Sequence, residues 1–270
     1  MSQGVLLFAF NNESINYVKQ AIFCAKRIQK YLQLPVSLVT NVDVNDSCFD
    51  KIIKLNQKQS NKKSYRDGSL SKRILSFNNS GREFSFDLSP YDETIVMDTD
   101  YIVANDKLLN CFKQKDLLMF KDATHLGIHN NTSEFKKISD SGITFYWATV
   151  IYFKKTFVTE TFFNLVKHIK ENYIHYRGVY QFKNTVYRND FAFSIAVHML
   201  SGYVENNFIG TIPGKKYYSI DRDILIDLNN DEFKLLVEKQ DRLGEYTLVK
   251  LKGSNLHIMN KFSLERIINA

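Results

Sequence analysis

Two aspartates one residue apart, Asp98-Thr99-Asp100, follow directly on the apolar run Thr94-Ile95-Val96-Met97. Carboxylates crowded at the end of a buried strand repel one another unless a cation or hydrogen-bond donors offset their charge. A hard divalent ion, Mn²⁺ or Mg²⁺, takes oxygen ligands of this kind and holds a diphosphate at the same time. The competing reading is a strand end followed by a solvated acidic turn. A second pair, Asp221-Arg222-Asp223, lies between Ser219-Ile220 and Ile224-Leu225-Ile226. An arginine between two acids points there to a surface turn or an ion pair.

His257 precedes Met259-Asn260-Lys261. Manganese accepts an imidazole beside carboxylates, so a chain returning to the sheet here would add a third ligand and a phosphate-facing lysine, Lys261. A lone histidine is usually structural. Arg82, in Asn78-Asn79-Ser80-Gly81-Arg82, carries a planar fork that grips a phosphate or a carboxylate, or simply meets solvent. Asp190 opens the apolar run Phe191-Ala192-Phe193. It either caps a helix or presents a carboxylate to a cleft, where it would position an acceptor hydroxyl or steady positive charge on a sugar carbon. Trp147, the single tryptophan, either stacks on a sugar or fills the core.

The elements that must position these residues can be read from periodicity. Gly4 to Phe10 is a continuous apolar run, and Ile15, Val18, Ile22, Ala25, Ile28 and Leu32 then recur at helical spacing up to Pro35. Val36 to Thr40 is a second strand ending at Asn41, so the chain opens with a βαβ unit of parallel strands. Ile52 to Leu55 is a weaker third strand, and residues 56–90 read as a polar, loop-rich stretch, a mobile lid. Further strands are expected at Leu117 to Phe120, Tyr146 to Phe153 and Tyr246 to Leu251, with helices at Val158 to Tyr173 and Asp190 to Leu200. The expected fold is α/β, a Rossmann-like single domain over 1–270 with a mixed, mostly parallel central sheet flanked by helices. In such sheets ligands bind beyond the carboxyl ends of the strands, where Asp98 to Asp100 would lie.

Composition narrows the class. At 270 residues, 44% hydrophobic and 24% charged, with 11 glycines and 3 prolines, the chain lacks the material for long linkers or fibrous repeats. Its apolar stretches fall well short of the roughly 20 residues needed to cross a bilayer, and the start lacks the pattern of a secretory signal, so a cytoplasmic location is expected. The three cysteines, Cys24, Cys48 and Cys111, form no paired motif and suit reduced, mostly buried thiols. The net charge of +7 favours anionic partners, but the basic residues are scattered rather than laid along one face, against a nucleic-acid binder. No P-loop, dinucleotide-binding, zincin or nucleophile-elbow motif occurs.

In the order of these features the chain resembles nucleotide-sugar-dependent glycosyltransferases of the GT-A fold, above all family 8, the group of glycogenin and the bacterial lipopolysaccharide galactosyltransferases. The resemblance implies a metal-dependent transferase that moves a sugar from a nucleoside diphosphate donor, a UDP-sugar, to a hydroxyl acceptor such as a carbohydrate. It implies that Asp98, Asp100 and His257 hold Mn²⁺ (or Mg²⁺) against the diphosphate, with Thr99 between them. Arg82 and Lys261 would meet nucleotide and phosphates, Ala9, Phe10, Asn11 and Thr40 the nucleoside, Trp147 the acceptor side, and Asp190 would be the catalytic carboxylate. Residues 1–105 would form the nucleotide-binding half and 106–270 the acceptor-binding half. The chain departs from the family pattern after His257, where Ile258-Met259-Asn260-Lys261 lacks the usual glycine, and at Trp147-Ala148-Thr149-Val150, which replaces an Asn-x-Gly acceptor segment. Alternatives are a nucleotidyltransferase, disfavoured by the glycine-free segment Phe10-Asn11-Asn12-Glu13, and an inactive domain of the same fold that binds carbohydrate or a partner protein.

Overall fold

A computed structural model describes residues 1–270 apart from 57–60, 128–135, 140–141, 184–185, 206–207 and 240–241. Strands β1 (Gln3–Ala9) and β2 (Val36–Thr40) are joined by helix α1 (Tyr17–Leu32), and β3 (Lys51–Lys54) follows. A hairpin of β4 (Asn61–Arg66) and β5 (Lys72–Phe77) leads through a 3-10 turn at Arg82–Phe84 and the one-turn helix α2 (Ser85–Leu88) into β6 (Glu93–Met97). Next come β7 (Tyr101–Ile102), β8 (Leu117–Phe120), β9 (Ala123–His125), β10 (Trp147–Lys154), α3 (Phe157–Glu171), α4 (Tyr173–Val179) and α5 (Asn189–Leu200). The last stretch holds β11 (Gly210–Thr211), β12 (Lys216–Ser219), β13 (Ile224–Asn229), β14 (Glu232–Glu238), β15 (Tyr246–Lys252), β16 (Leu256–Ile258) and α6 (Lys261–Asn269).

The largest sheet has the order β11-β8-β10-β6-β1-β2-β3. β1 runs parallel to both β2 and β6, and only β10 runs antiparallel to its neighbours, so the sheet is mixed and mostly parallel as expected. β2 and β6 are buried along their whole length and β1 along nearly all of it, which is why none of them shows a clean apolar-polar alternation. α1 covers one face. Its Asn16 side chain accepts from the Lys19 amide to cap the start, and Gln33 ends it in the left-handed region at φ 55° just before Pro35. Val18, Ala21, Cys24, Ala25, Ile28 and Leu32 give it a buried stripe at helical spacing. α3 and α5 pack on each other, α5 buried along most of its length.

A second sheet, β7-β16-β12-β9, lies beside the carboxyl end of β6. β16 enters between β7 and β12, which pairs His257 with Tyr101 on one side and Tyr218 on the other. β13, β14 and β15 make a separate antiparallel sheet.

Three expectations are corrected. Outside 57–60, which lie beyond the described residues, the 56–90 stretch is no loose lid but a hairpin pinned at both ends. At its tip Asp67 takes two hydrogen bonds from Arg266, at 2.6 and 2.9 Å, Ser69 donates to Glu238, and the Gly68 amide donates to the Asp221 carbonyl. Beside the tip Tyr65 and Tyr17 share a hydroxyl contact at 3.0 Å, and at the base the Asn12 side-chain amide donates to the Ser76 carbonyl at 2.7 Å. The second acidic pair is not a mere surface turn. Arg222 does pair with Glu238, but Asp223 is buried, with His125 Nε2 at 2.8 Å and the amides of Ile220 and Glu238 donating to it. The helix expected through Tyr173 ends at Glu171, and the separate α4 follows. Among the described residues no helix is long and apolar enough to cross a membrane.

Candidate functional site

A cleft of about 520 Å³ opens at the carboxyl ends of β1 and β6. Its floor is Asp98-Thr99-Asp100, the turn that carries the chain from β6 to β7. β10 and the start of α5 wall one side, the β4–β5 hairpin overhangs another, and β16 with the start of α6 closes the third.

Asp98, Asp100 and His257 each offer a ligand atom, and these atoms all lie within 4.8 Å of one another. His257 Nε2 is 3.2 Å from Asp100 Oδ2 and 4.0 Å from Asp98 Oδ2. Two hard carboxylates and one imidazole are the donor set that suits Mn²⁺, and serve Mg²⁺ less completely. The residues present therefore fit the metal implied by the sequence. Burial, and then the neighbouring Lys216 charge, hold the His257 imidazole well below its usual pKa, so the ring is neutral, as a ligand must be.

Two cations already sit on this acidic pair. Arg82 bonds Asp98 through one guanidinium nitrogen and donates to the Ala148 carbonyl at 3.1 Å through another. Lys261, the first residue of α6, bonds Asp100. The backbone delivers Arg82 here because Gly81 takes φ +113°, where a side chain would also press on the Phe8 ring at 3.2 Å. Buried Glu83 locks the same turn, accepting from the Gly81 amide at 2.8 Å and pairing with Lys170 of α3.

Asp190 does not cap α5, whose N-cap residue is Arg188. Its Oδ1 accepts from the Ala148 amide at 2.9 Å and its Oδ2 from Arg188 at 3.1 Å, which ties the helix start to β10. Trp147 is only 2% exposed, packed edge-on against Phe145 and beneath the Lys216 ammonium, yet it still lines the cleft.

Of the residues singled out from sequence, Phe10, Arg82, Asp98, Thr99, Asp100, Trp147, Asp190, His257 and Lys261 all line this one cleft. Ala9, Asn11 and Thr40 stand at the ends of β1 and β2 beside it without forming its wall: Ala9 and Thr40 are fully buried, and Asn11 Oδ1 accepts from the Val18 amide at the start of α1. Sequence reasoning missed Lys62 and Lys63 on the hairpin, Arg188, and the buried Lys216. For Lys216 a signal existed: in Lys216-Tyr217-Tyr218-Ser219 strand alternation puts the lysine on the face of buried Tyr218. All three cysteines are buried and free.

No family model matches the chain, and no curated protein does. Among solved structures it is similar to the glycosyltransferase GlyE of Streptococcus pneumoniae, at 15% identity over 78% of this chain and 45% of that one, with a TM-score of 0.45. It is also similar to the galactosyltransferase LgtC in complex with donor and acceptor sugar analogs, at 12% identity over 72% and 70% of the two chains, TM-score 0.45. A third is the 4-diphosphocytidyl-2C-methyl-D-erythritol synthase of Anaerococcus prevotii, at 12% identity over 79% and 89%, TM-score 0.35. The chain spans less than half the length of GlyE.

Proposed function

We propose that this chain is a metal-dependent glycosyltransferase that moves a sugar from a nucleoside diphosphate donor, a UDP-sugar, to a hydroxyl acceptor. The observation that carries the reading is the convergence of Asp98, Asp100 and His257, from β6 and β16, with the cations Arg82 and Lys261 in one cleft. When bound there, Mn²⁺ or Mg²⁺ supplies a Lewis acid that offsets charge on the leaving diphosphate.

The protein's own groups do the rest. Arg82 and Lys261 reach the two aspartates from opposite chain segments and so bring two cationic side chains to the place where negative charge grows on the diphosphate during transfer. Asp190, held by the Ala148 amide and Arg188, keeps a fixed carboxylate on the cleft wall made by β10 and the start of α5, where it orients the acceptor hydroxyl or steadies the sugar carbon. Phe10, flanked by Ala9, Asn11 and Thr40, forms the nucleoside side. Residues 1–105 thus serve the nucleotide, and residues 106–270 supply Trp147 and Asp190 to the acceptor and His257 and Lys261 to the diphosphate.

Thermal melting with UDP, GDP and CDP, each with and without Mn²⁺, tests this reading in the wild type and in Asp100→Ala. Stabilisation by UDP only with metal, lost in the variant, is expected; a ligand at about 100 times its Kd adds about 2.7 kcal/mol. Indifference to every nucleotide with metal would sink the reading in favour of a binding domain without turnover.

A further inference from the structure

The far end of α5 carries a cluster of aromatic rings that the cleft does not use. Tyr176 and Tyr180, one turn apart on α4, stack at 26° with their centres 6.5 Å apart. Tyr180 Oη lies 3.1 Å from Nδ1 of His198 on α5, and the His198 ring meets the Tyr203 ring edge-on at 5.6 Å. His168 of α3 meets Tyr176 in the same way at 5.9 Å. Burial first, and then Tyr203 and Tyr176, push the Tyr180 hydroxyl up to about 12, while burial and then Tyr203 raise Tyr176. Three tyrosines from two segments therefore meet on one patch.

The patch is open, and its most exposed ring sits in a strained turn. Tyr203 is 63% exposed, and its φ of 62° lies in the left-handed region, where a bulky side chain is rare. The turn that ends α5 imposes this, for the Tyr203 amide donates to the His198 carbonyl at 3.0 Å and the Gly202 amide to the Met199 carbonyl at 3.1 Å. Glycine or asparagine closes such a turn more easily, so folding alone does not call for a tyrosine here. Elsewhere cations cover tyrosine faces, as Lys63 does over Tyr65 and Lys170 over Tyr187. Among the described residues no ammonium or guanidinium lies over Tyr176, Tyr180 or Tyr203.

This patch is joined to the cleft wall. Asn189 and Asp190 line the cleft at the start of α5, and the same helix reaches His198 about 12 Å further along its axis. At the start of α4 the Tyr173 hydroxyl donates to the Val186 carbonyl at 3.2 Å and accepts from the Arg188 amide at 3.3 Å, and Val186 and Arg188 both line the cleft. A phenol ring offers an apolar face and a polar edge, which matches a pyranose, apolar over its C–H faces and polar around its rim. A bilayer calls for exposed aliphatic side chains on the same face, with lysines beside them. The exposed Ile174 instead lies at least about 120° around α4 from Tyr176 and Tyr180. Stacked nucleobases call for cations that track the phosphates, which these rings lack.

We infer that Tyr176, Tyr180 and Tyr203 form a stacking platform for a neutral carbohydrate chain, the stretch of an acceptor glycan that runs out of the cleft along α5. Calling that chain an acceptor rests on the transferase reading, whereas the platform itself does not.

An array of neutral glucans, galactans, mannans and chito-oligosaccharides, graded from monosaccharide to hexasaccharide, probes the wild type with chelator and without nucleotide. Retention of at least one series, tightening with chain length, is expected. Tyr203→Gly relieves the strained φ and should melt no lower than wild type, yet weaken that retention at least tenfold, whereas Tyr203→Phe keeps the ring and should keep the retention. No retention of any series overturns the inference, as does equal retention by Tyr203→Gly or a Tyr203→Phe variant as weak as Tyr203→Gly. Binding to phosphatidylcholine–phosphatidylglycerol vesicles that Tyr203→Gly abolishes, with none to the array, assigns the patch to a bilayer and overturns it too. Should the wild type bind no UDP with Mn²⁺, the transferase reading falls, while the array still decides the platform.

Discussion

Lys216 Nζ lies 3.1 Å from His257 Nδ1, and both side chains are buried, Lys216 to 1% exposure. A charge so placed has traded water for one ring nitrogen and the faces of Trp147 and Tyr101. Burial accordingly pulls its pKa from 10.5 to about 7. Each unit of that shift is worth about 1.4 kcal/mol of penalty on the charged form, against about 1–3 kcal/mol for leaving Nδ1 without a partner. The penalty wins. Lys216→Met, similar in shape, should therefore raise stability by about 1–3 kcal/mol in urea unfolding at neutral pH with chelator present. A destabilised variant would show that the lysine is needed to hold β12 against β16.

The bidentate Asp67–Arg266 pair fastens the hairpin to α6. Hydrogen bonds from Arg266 hold the Asp67 carboxyl below its ordinary 3.8. A lowered carboxylate pKa stabilises the fold above the unfolded value, and that stability is lost as pH falls through the folded one. Asp67→Asn should cost about 1 kcal/mol at pH 7, because Arg266 is half exposed and the pair is partly screened. The difference from wild type should shrink as pH drops below 3.8. Melting curves between pH 2.5 and 7 check it, and a gap of constant size would exclude an ionic origin.

Two glycines should respond in opposite directions to alanine. At Gly4 an added Cβ would stand 2.4 Å from the ring of Tyr91, whose hydroxyl is fixed on Ser37 at 2.8 Å, so the ring cannot retreat. Gly4→Ala is expected to cost about 1–3 kcal/mol. At Gly178, inside α4, nothing lies within 4 Å, and Gly178→Ala should gain about 0.5–1 kcal/mol from the unfolded state. Urea midpoints of the two variants give both signs in one experiment.

Burial raises the thiols of Cys24 and Cys111 to about 12. Both side chains are fully enclosed, which denies a reagent access as well as thiolate. Iodoacetamide at pH 8 should leave these two unlabelled in the native protein and modify both in guanidinium. Mass spectrometry of peptides reads this directly, and rapid native labelling at Cys24 would mean that α1 lifts from the sheet.

The parts of this fold legible in sequence are those where burial imposes a pattern. β1, β2 and β6 lie in the middle of the large sheet and are buried on both faces, so apolar residues dominate them, and α1 carries its apolar stripe at helical spacing. The hairpin was illegible for the opposite reason: Lys62, Lys63, Lys72 and Arg73 are exposed, and its anchors are few and remote in sequence, a small apolar cluster of Tyr65 and Leu75 with Ile15, hydrogen bonds that Asp67 accepts from Arg266, and one that Ser69 donates to Glu238. The candidate site was read through Asp98 and Asp100 because a strand end fixes where they point. Lys216 escaped because lysines are ordinarily surface residues, and its strand, β12, is four residues long and ordered by neighbours remote in sequence.

The insertion of β16 between β7 and β12 carries a consequence for how the protein matures. The Lys261–Asp100 pair joins residues 161 positions apart, and His257 arrives on the same short strand. Closing so long a loop comes late, since its entropy must be met before distant contacts reward it. An intermediate with the parallel strands and α1 already native would hold both aspartates without the imidazole beside them. The three side chains therefore share one site only after the chain's far end has docked.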